Sequence, residues 1–223
     1  MEVALILFGL AIDAAFIIVD HKYHNWMSII LKTLASIVFV FLGVYESRNL
    51  ASSAQCKFIW GSLVFNLFGD FTLILRNVDK KHKDLIFILG MLFFMISHFF
   101  LLALLIIRNS GLLITSVLIT AVLFAVIVYI ILKKIETSKT ILFFGLVYLY
   151  VIILVFVYAL MIYLNSPNTF NLIFTIGYFL FMSSDIILTF QKFDKNAPTY
   201  LQPIYRALYY VSQIITAVAI KFM

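Results

Sequence analysis

Asp70 and Asp185 stand inside long apolar runs, 115 residues apart, each directly preceded by a small residue, Gly69 or Ser184. Carboxyl groups in such surroundings relay protons, bind substrate or pair with a base, because hydrocarbon offers them no partner. Asp13, Lys32 and Arg206 share their situation. A charge at the centre of a membrane helix costs about 2.5–3.5 kcal/mol on insertion scales, so five unpaired ones would cost roughly 12–18 kcal/mol. They must therefore face one another or water, and three acids with two bases at one level make a pocket. Polar neighbours follow at helical spacing. Ser62, Asn66 and Asp70 form one stripe, Ser28, Lys32 and Ser36 a second, and Arg206, Tyr209, Tyr210 and Gln213 a third, while Ser97 and His98 form a polar pair in a fourth run. Each stripe should point inward. Plainer roles exist for several of them: Asp13 as a structural ion-pair partner, His98 hydrogen-bonded to a carbonyl, Arg206 reaching to the interface, and the tyrosines as packing.

The elements that position these groups follow from composition. Of 223 residues, 65% are apolar and 12% charged, and mean hydropathy is +1.13. A water-soluble fold could not hide that much apolar surface. Runs long enough to cross about 30 Å of hydrocarbon fall near 2–19, 27–45, 57–75, 85–107, 111–132, 140–164, 169–190 and 201–222. Backbone groups in lipid must be satisfied within each segment, so all eight are expected to be helices. The fold class predicted is all-α, a polytopic bundle forming a single transmembrane domain over residues 1–223. The breaks carry turn and charge punctuation: His21 to Asn25, Arg76 to Asp84, Asn109-Ser110-Gly111, Asn165 to Asn168, and Lys192 to Pro198. Residues 1–16 lack a basic n-region and a small-residue cleavage site, and are expected to belong to the first membrane helix. Cys56 is the sole cysteine, which excludes an intrachain disulfide or a cysteine-based metal site.

The net charge of +6 belongs to short loops and reads as topology and lipid-phosphate contact, with no nucleic-acid partner. Ten Lys and Arg fall on one face (Lys22, Arg76, Lys80, Lys81, Lys83, Lys133, Lys134, Lys139, Lys192, Lys195) and four on the other (Arg48, Lys57, Arg108, Lys221). Both termini are therefore expected on the non-cytoplasmic side. Asp70 lies six residues from Arg76 and Asp185 seven from Lys192, which puts both carboxylates roughly 10 Å inside the basic face. The offset between the aspartates carries His98 onto Gln213, and suggests a four-plus-four tandem repeat.

Lys32-Thr33-Leu34, Gly61 to Asp70, Ser97-His98, Ser184-Asp185 and Tyr209 to Gln213, taken in this order and on these helices, resemble the YhhN family of lysoplasmalogenase-like membrane proteins. Two positions depart from the family pattern: its Lys-Pro-Leu is Lys32-Thr33-Leu34 here, and the tyrosine that often follows the histidine by three is Leu101. The resemblance implies hydrolysis of the sn-1 vinyl ether of a lysoplasmalogen to a fatty aldehyde and a glycerophospho-ethanolamine or glycerophosphocholine. That chemistry needs one protonated carboxyl and one ionised carboxylate, the division of labour seen in glycosidases. Asp70 and Asp185 are the expected pair. Lys32 and Arg206 would hold the phosphate, and Asn66, His98, Tyr209, Tyr210 and Gln213 would position water and glycerol; Arg206 matches no family motif and stands on position alone. No metal or other cofactor is required. Membrane lipids and a lysophospholipid are the expected partners, with oligomeric state left open. The competing class is a proton-coupled carrier or channel using the same buried charges. None of the prolines, Pro167, Pro198 or Pro203, interrupts a helix interior, so the broken helices common in carriers are not signalled.

Overall fold

A computed structural model describes residues 2–22, 26–48, 54–76 and 78–223, with the backbone alone for Lys22 and Ala54. Tyr23-His24-Asn25 of the first expected break and Asn77 of the second lie outside the described residues, as does the side chain of Lys22. The described chain is helical throughout: α1 Glu2–Lys22, α2 Trp26–Ser47, α3 Ala54–Leu75, α4 Lys83–Arg108, α5 Leu113–Leu132, α6 Lys139–Asn165, α7 Thr169–Phe193 and α8 Leu201–Ala219, with single 3₁₀ turns at Ser110–Leu112 and Ile220–Phe222. Helices α1 to α7 have the length and hydropathy to cross a membrane. Helix α8 is the exception, because Gln202, Arg206 and Gln213 dilute its apolar residues.

Capping explains several boundaries. Ser138 and Asn168 accept the backbone N–H of Ile141 and Asn171, at 3.3 and 2.8 Å, and start α6 and α7. Between α3 and α4, Asp79 accepts from the N–H groups of Lys81 and His82 at 3.0 and 3.1 Å. It also meets His82 Nδ1 at 2.8 Å, and that hydrogen bond holds its carboxyl below the usual carboxylate range.

The distribution of side chains is that of an integral multi-pass membrane protein. Ile114, Leu118, Val122 and Val126 recur every four residues on α5, and each is more than half exposed. Ser36, Ser62, Asn66, Ser97, His98, Ser184, Ser212 and Gln213 are buried instead. Lipid as the outer solvent accounts for this inversion.

The most extensive helix pairs are α3 with α4 and α7 with α8. A glycine permits close approach in each. A Cβ on Gly69 would meet the ring of Phe94 at 2.7 Å, and one on Gly177 would sit 3.0 Å from Ile215 and Thr216. Helix α2 also packs on α8, and α4 on α6, which closes the bundle around the buried polar groups. At the end rich in lysine, the N–H of Glu136 donates to the carbonyl of Phe193 at 3.0 Å, and Lys195 pairs with Glu136. At the other end, Lys221 pairs with Glu2 at 2.7 Å, so the start of α1 and the turn that follows α8 lie on the same side.

Candidate active site

Asp70 is 3% exposed, and three side chains from two other helices converge on it. Lys32 Nζ of α2 lies 3.0 Å from Oδ1. Ser36 of α2 and Tyr209 of α8 donate to Oδ2 at 2.7 and 2.8 Å. Four residues separate Lys32 from Ser36, so a single turn of α2 presents both to the carboxyl. The carboxylate has a compensating charge and two neutral donors.

Asp185, 9% exposed, sits in different company. Tyr148 of α6 donates to its Oδ2 at 2.5 Å, and among the described residues no cation pairs with it. Behind Tyr148, His98 Nε2 lies 3.4 Å from the tyrosine oxygen, and His98 Nδ1 lies 2.9 Å from the hydroxyl of Tyr178. The imidazole is fully enclosed. Nearby, Asn66 Nδ2 of α3 donates to Gln213 Oε1 of α8 at 2.9 Å, and the Ser62 and Ser97 hydroxyls are 2.8 Å apart across α3 and α4.

Two cavities meet at these groups. One is largely apolar, walled by Phe87, Met91, Ile141, Leu146, Leu149 and Ile152, and both Asp70 and Asp185 line it. The other is polar and contains Asp20, Arg76, Lys192 and Arg206. Lys32, Asp70, Tyr205 and Tyr209 border both. A molecule with one long alkyl arm and one charged end fits such a junction, with the two carboxyls beside its linking atoms.

Of the residues expected at the site, Asp70, Lys32 and Tyr209 are in direct contact, and Asp185 shares a cavity with them. Asn66 and Gln213 bond to each other rather than to either carboxyl. His98 reaches Asp185 only through Tyr148. Tyr210 lines the polar cavity and packs edge-on against Phe16 and Tyr209. Arg206 is ion-paired with Asp20, 13% and 4% exposed in their side chains, and neither it nor Lys32 is an unengaged cation awaiting phosphate. Asp13 is buried, and among the described residues it has no ion-pair partner.

Sequence reasoning missed Tyr148, Tyr178, Asp20 and the cavity roles of Arg76 and Lys192. The repeat offset held a signal for the first, since it carries Lys32 to Val147, next to Tyr148.

No curated protein and no solved structure matches the sequence. The model of one protein family does, over residues 27–220, from the start of α2 through α8, a span that includes Asp70, Asp185 and the lysines and tyrosines placed around them above, and leaves out Asp13 and Asp20 of α1. The chain belongs to the YhhN family.

Proposed function

We propose that the protein is an intramembrane hydrolase that cleaves the sn-1 vinyl ether of a lysoplasmalogen. Membership of a family associated with lysoplasmalogenase activity supports this. The observation that carries it is the pair of unlike carboxyls on one apolar cavity, with Asp70 also at its junction with a polar one. Asp70, paired with Lys32, is the ionised member. Asp185, with a hydroxyl partner and, among the described residues, no paired cation, is the member that carries the proton in this reading.

In this reading Asp185 protonates the β-carbon of the vinyl ether, which leaves an oxocarbenium ion at the carbon bonded to oxygen. Asp70 stabilises that cation and accepts a proton from the water that adds to it. The hemiacetal then collapses: its hydroxyl loses a proton as the departing glycerol oxygen gains one, and a fatty aldehyde leaves. Asp70 releases to solvent in the site the proton it took from water, and Asp185 regains one from the same solvent, which resets both carboxyls. The products are the aldehyde and a glycerophosphodiester, with the ethanolamine and choline forms those that the resemblance implies.

The architecture proposed with it is one domain of eight membrane crossings, α8 included, arranged as two four-helix repeats with both termini outside the cytoplasm. Moving four helices along the chain turns the α2–α8 contact into the α6–α4 contact, and both pairs pack. His98 and Gln213 occupy corresponding places, and each bridges to the aspartate helix of the opposite half, through Tyr178 and Asn66. The proton-carrier reading has one observation of its own, the hydrogen-bonded run from Tyr178 to Asp185.

The test is aldehyde release from a plasmenyl lysophospholipid by purified protein. Asp70→Asn and Asp185→Asn should each lower the rate by about 10²–10⁴, and the double variant should be little worse than either. Wild-type rates in both variants refute the carboxylate pair. Proton flux across liposomes without any hydrolysis would favour the carrier.

A further inference from the structure

The polar cavity holds more positive charge than its acids can match. Lys32, Arg76, Lys192 and Arg206 line it, against Asp20 and Asp70. Both acids are engaged, Asp70 by Lys32 and Asp20 by Arg206. Gln202, with its amide turned so that the oxygen faces the guanidinium, accepts from Arg206 at 2.6 and 3.1 Å, and commits that side chain further. Arg76 and Lys192 are left: among the described residues neither has an ion-pair partner. Arg76 is half-buried and lies over the ring of Phe87, 5.0 Å from its centroid. Lys192 is exposed at the mouth, with Arg76, Arg206 and Lys32 as its repelling neighbours. Like charges gathered in a low-dielectric cleft focus the field and draw in an anion.

An ammonium group would find no unpaired acid in the same place. All ten acids of the chain lie among the described residues, and none in this cavity is free of a partner. Of the aromatic faces that could cage a quaternary amine, three already carry a cation, Phe16 and Tyr205 lying under Arg206 and Phe87 under Arg76, and the rings of Tyr209 and Tyr210 pack edge-on against each other. We infer that Arg76 and Lys192 form the phosphate subsite, and that it selects lysophospholipids by the net negative charge of the headgroup, disfavouring zwitterionic choline and ethanolamine forms. This deepens the hydrolase reading and rests on it for the orientation of the lipid, with its alkyl arm in the apolar cavity.

Saturated 1-O-alkyl lysophospholipids lack the double bond, so they report binding without turnover. Native mass spectrometry of the detergent-solubilised protein would titrate three of equal chain length, with phosphate, phosphoglycerol and phosphocholine headgroups, beside glycerol 3-phosphate. The phosphate and phosphoglycerol lipids should bind about tenfold or more tighter than the phosphocholine lipid, the worth of one charge-assisted hydrogen bond. Arg76→Gln and Lys192→Gln should each reduce that ratio about threefold or more and together abolish it. Arg76→Lys should retain most of it, and Lys133→Gln, at an exposed residue that lines neither cavity, all of it. Glycerol 3-phosphate alone should bind far more weakly, since it forgoes the apolar cavity. Equal affinity for all three lipids in the wild type, a ratio that survives the double substitution, or glycerol 3-phosphate binding as tightly as the lipids would each overturn the proposal. Vinyl ether turnover is measured separately, so a protein that binds anionic lipids selectively but hydrolyses nothing would refute the hydrolase and leave the subsite standing.

Discussion

Replacing Lys32 with methionine removes the cation paired with Asp70 while keeping most of the side chain's length and apolar contact. The carboxyl is 3% exposed and keeps its hydrogen bonds from Ser36 and Tyr209. It loses the ammonium at 3.0 Å. Breaking a buried pair from one side costs about 3–5 kcal/mol. The Lys32 side chain is 16% exposed, so water reaches the pair, and the lower end of the range, about 3 kcal/mol, is expected. That is roughly a 150-fold shift in the folding equilibrium. Removing the stranded charge should recover most of it, so Lys32→Met with Asp70→Asn should be more stable than Lys32→Met alone. The assay is denaturant unfolding in detergent, followed by helical circular dichroism, on the wild type, both single variants and the double. If the two losses simply add, the pair contributes nothing as a pair, and the assignment of Asp70 as the charged carboxylate fails with it.

Tyr148→Phe deletes the 2.5 Å hydrogen bond to Asp185 and should lower vinyl ether hydrolysis about two- to tenfold, from the roughly 0.5–1.5 kcal/mol typical of a hydrogen bond between neutral groups, Asp185 being the protonated carboxyl. An unchanged rate in a folded variant would remove Tyr148 from the site. Gln213→Leu strands the buried amide of Asn66 and should cost about 1–3 kcal/mol, most of it restored by adding Asn66→Leu; the two melting temperatures check this. A compartment-sensitive reporter fused after Met223 should be active only outside the cytoplasm, and activity inside would invert the topology and move the site to the opposite leaflet.

How much of this was legible in the sequence depended on what signal each residue leaves. A charge in an apolar run is expensive, so Asp70, Asp185, Lys32 and Arg206 stood out, and they surround the two cavities. Helix limits followed from caps and polar breaks, to within a few residues at most ends. Tyr148 and Tyr178 left no comparable trace, because a tyrosine in a membrane helix is first an apolar ring and its hydroxyl is cheap until it finds a partner. Asp20 sits in the last turn of α1, where an acid looks like loop punctuation, and only the fold brings α8 and Arg206 against it. Arg76 and Lys192 entered the sequence reading only as members of the basic face, yet the same two residues line a cavity, and a loop count has no means of separating those roles.

The enclosed imidazole of His98 has a consequence for spectroscopy. A ring with one proton has one donor and one acceptor nitrogen, and both nitrogens of His98 face tyrosine hydroxyls. While Tyr148 donates to an ionised Asp185, its oxygen must accept from Nε2–H, and Nδ1 must accept from Tyr178. Every hydrogen bond in the chain then points toward the carboxylate. Once Asp185 holds a proton and donates it to Tyr148, the order reverses: Tyr148 donates to Nε2, and Nδ1–H turns to Tyr178. The two tautomers have well-separated nitrogen chemical shifts, so a single labelled histidine, silent in the reaction itself, reports from two hydrogen bonds away whether the acid of this site is loaded.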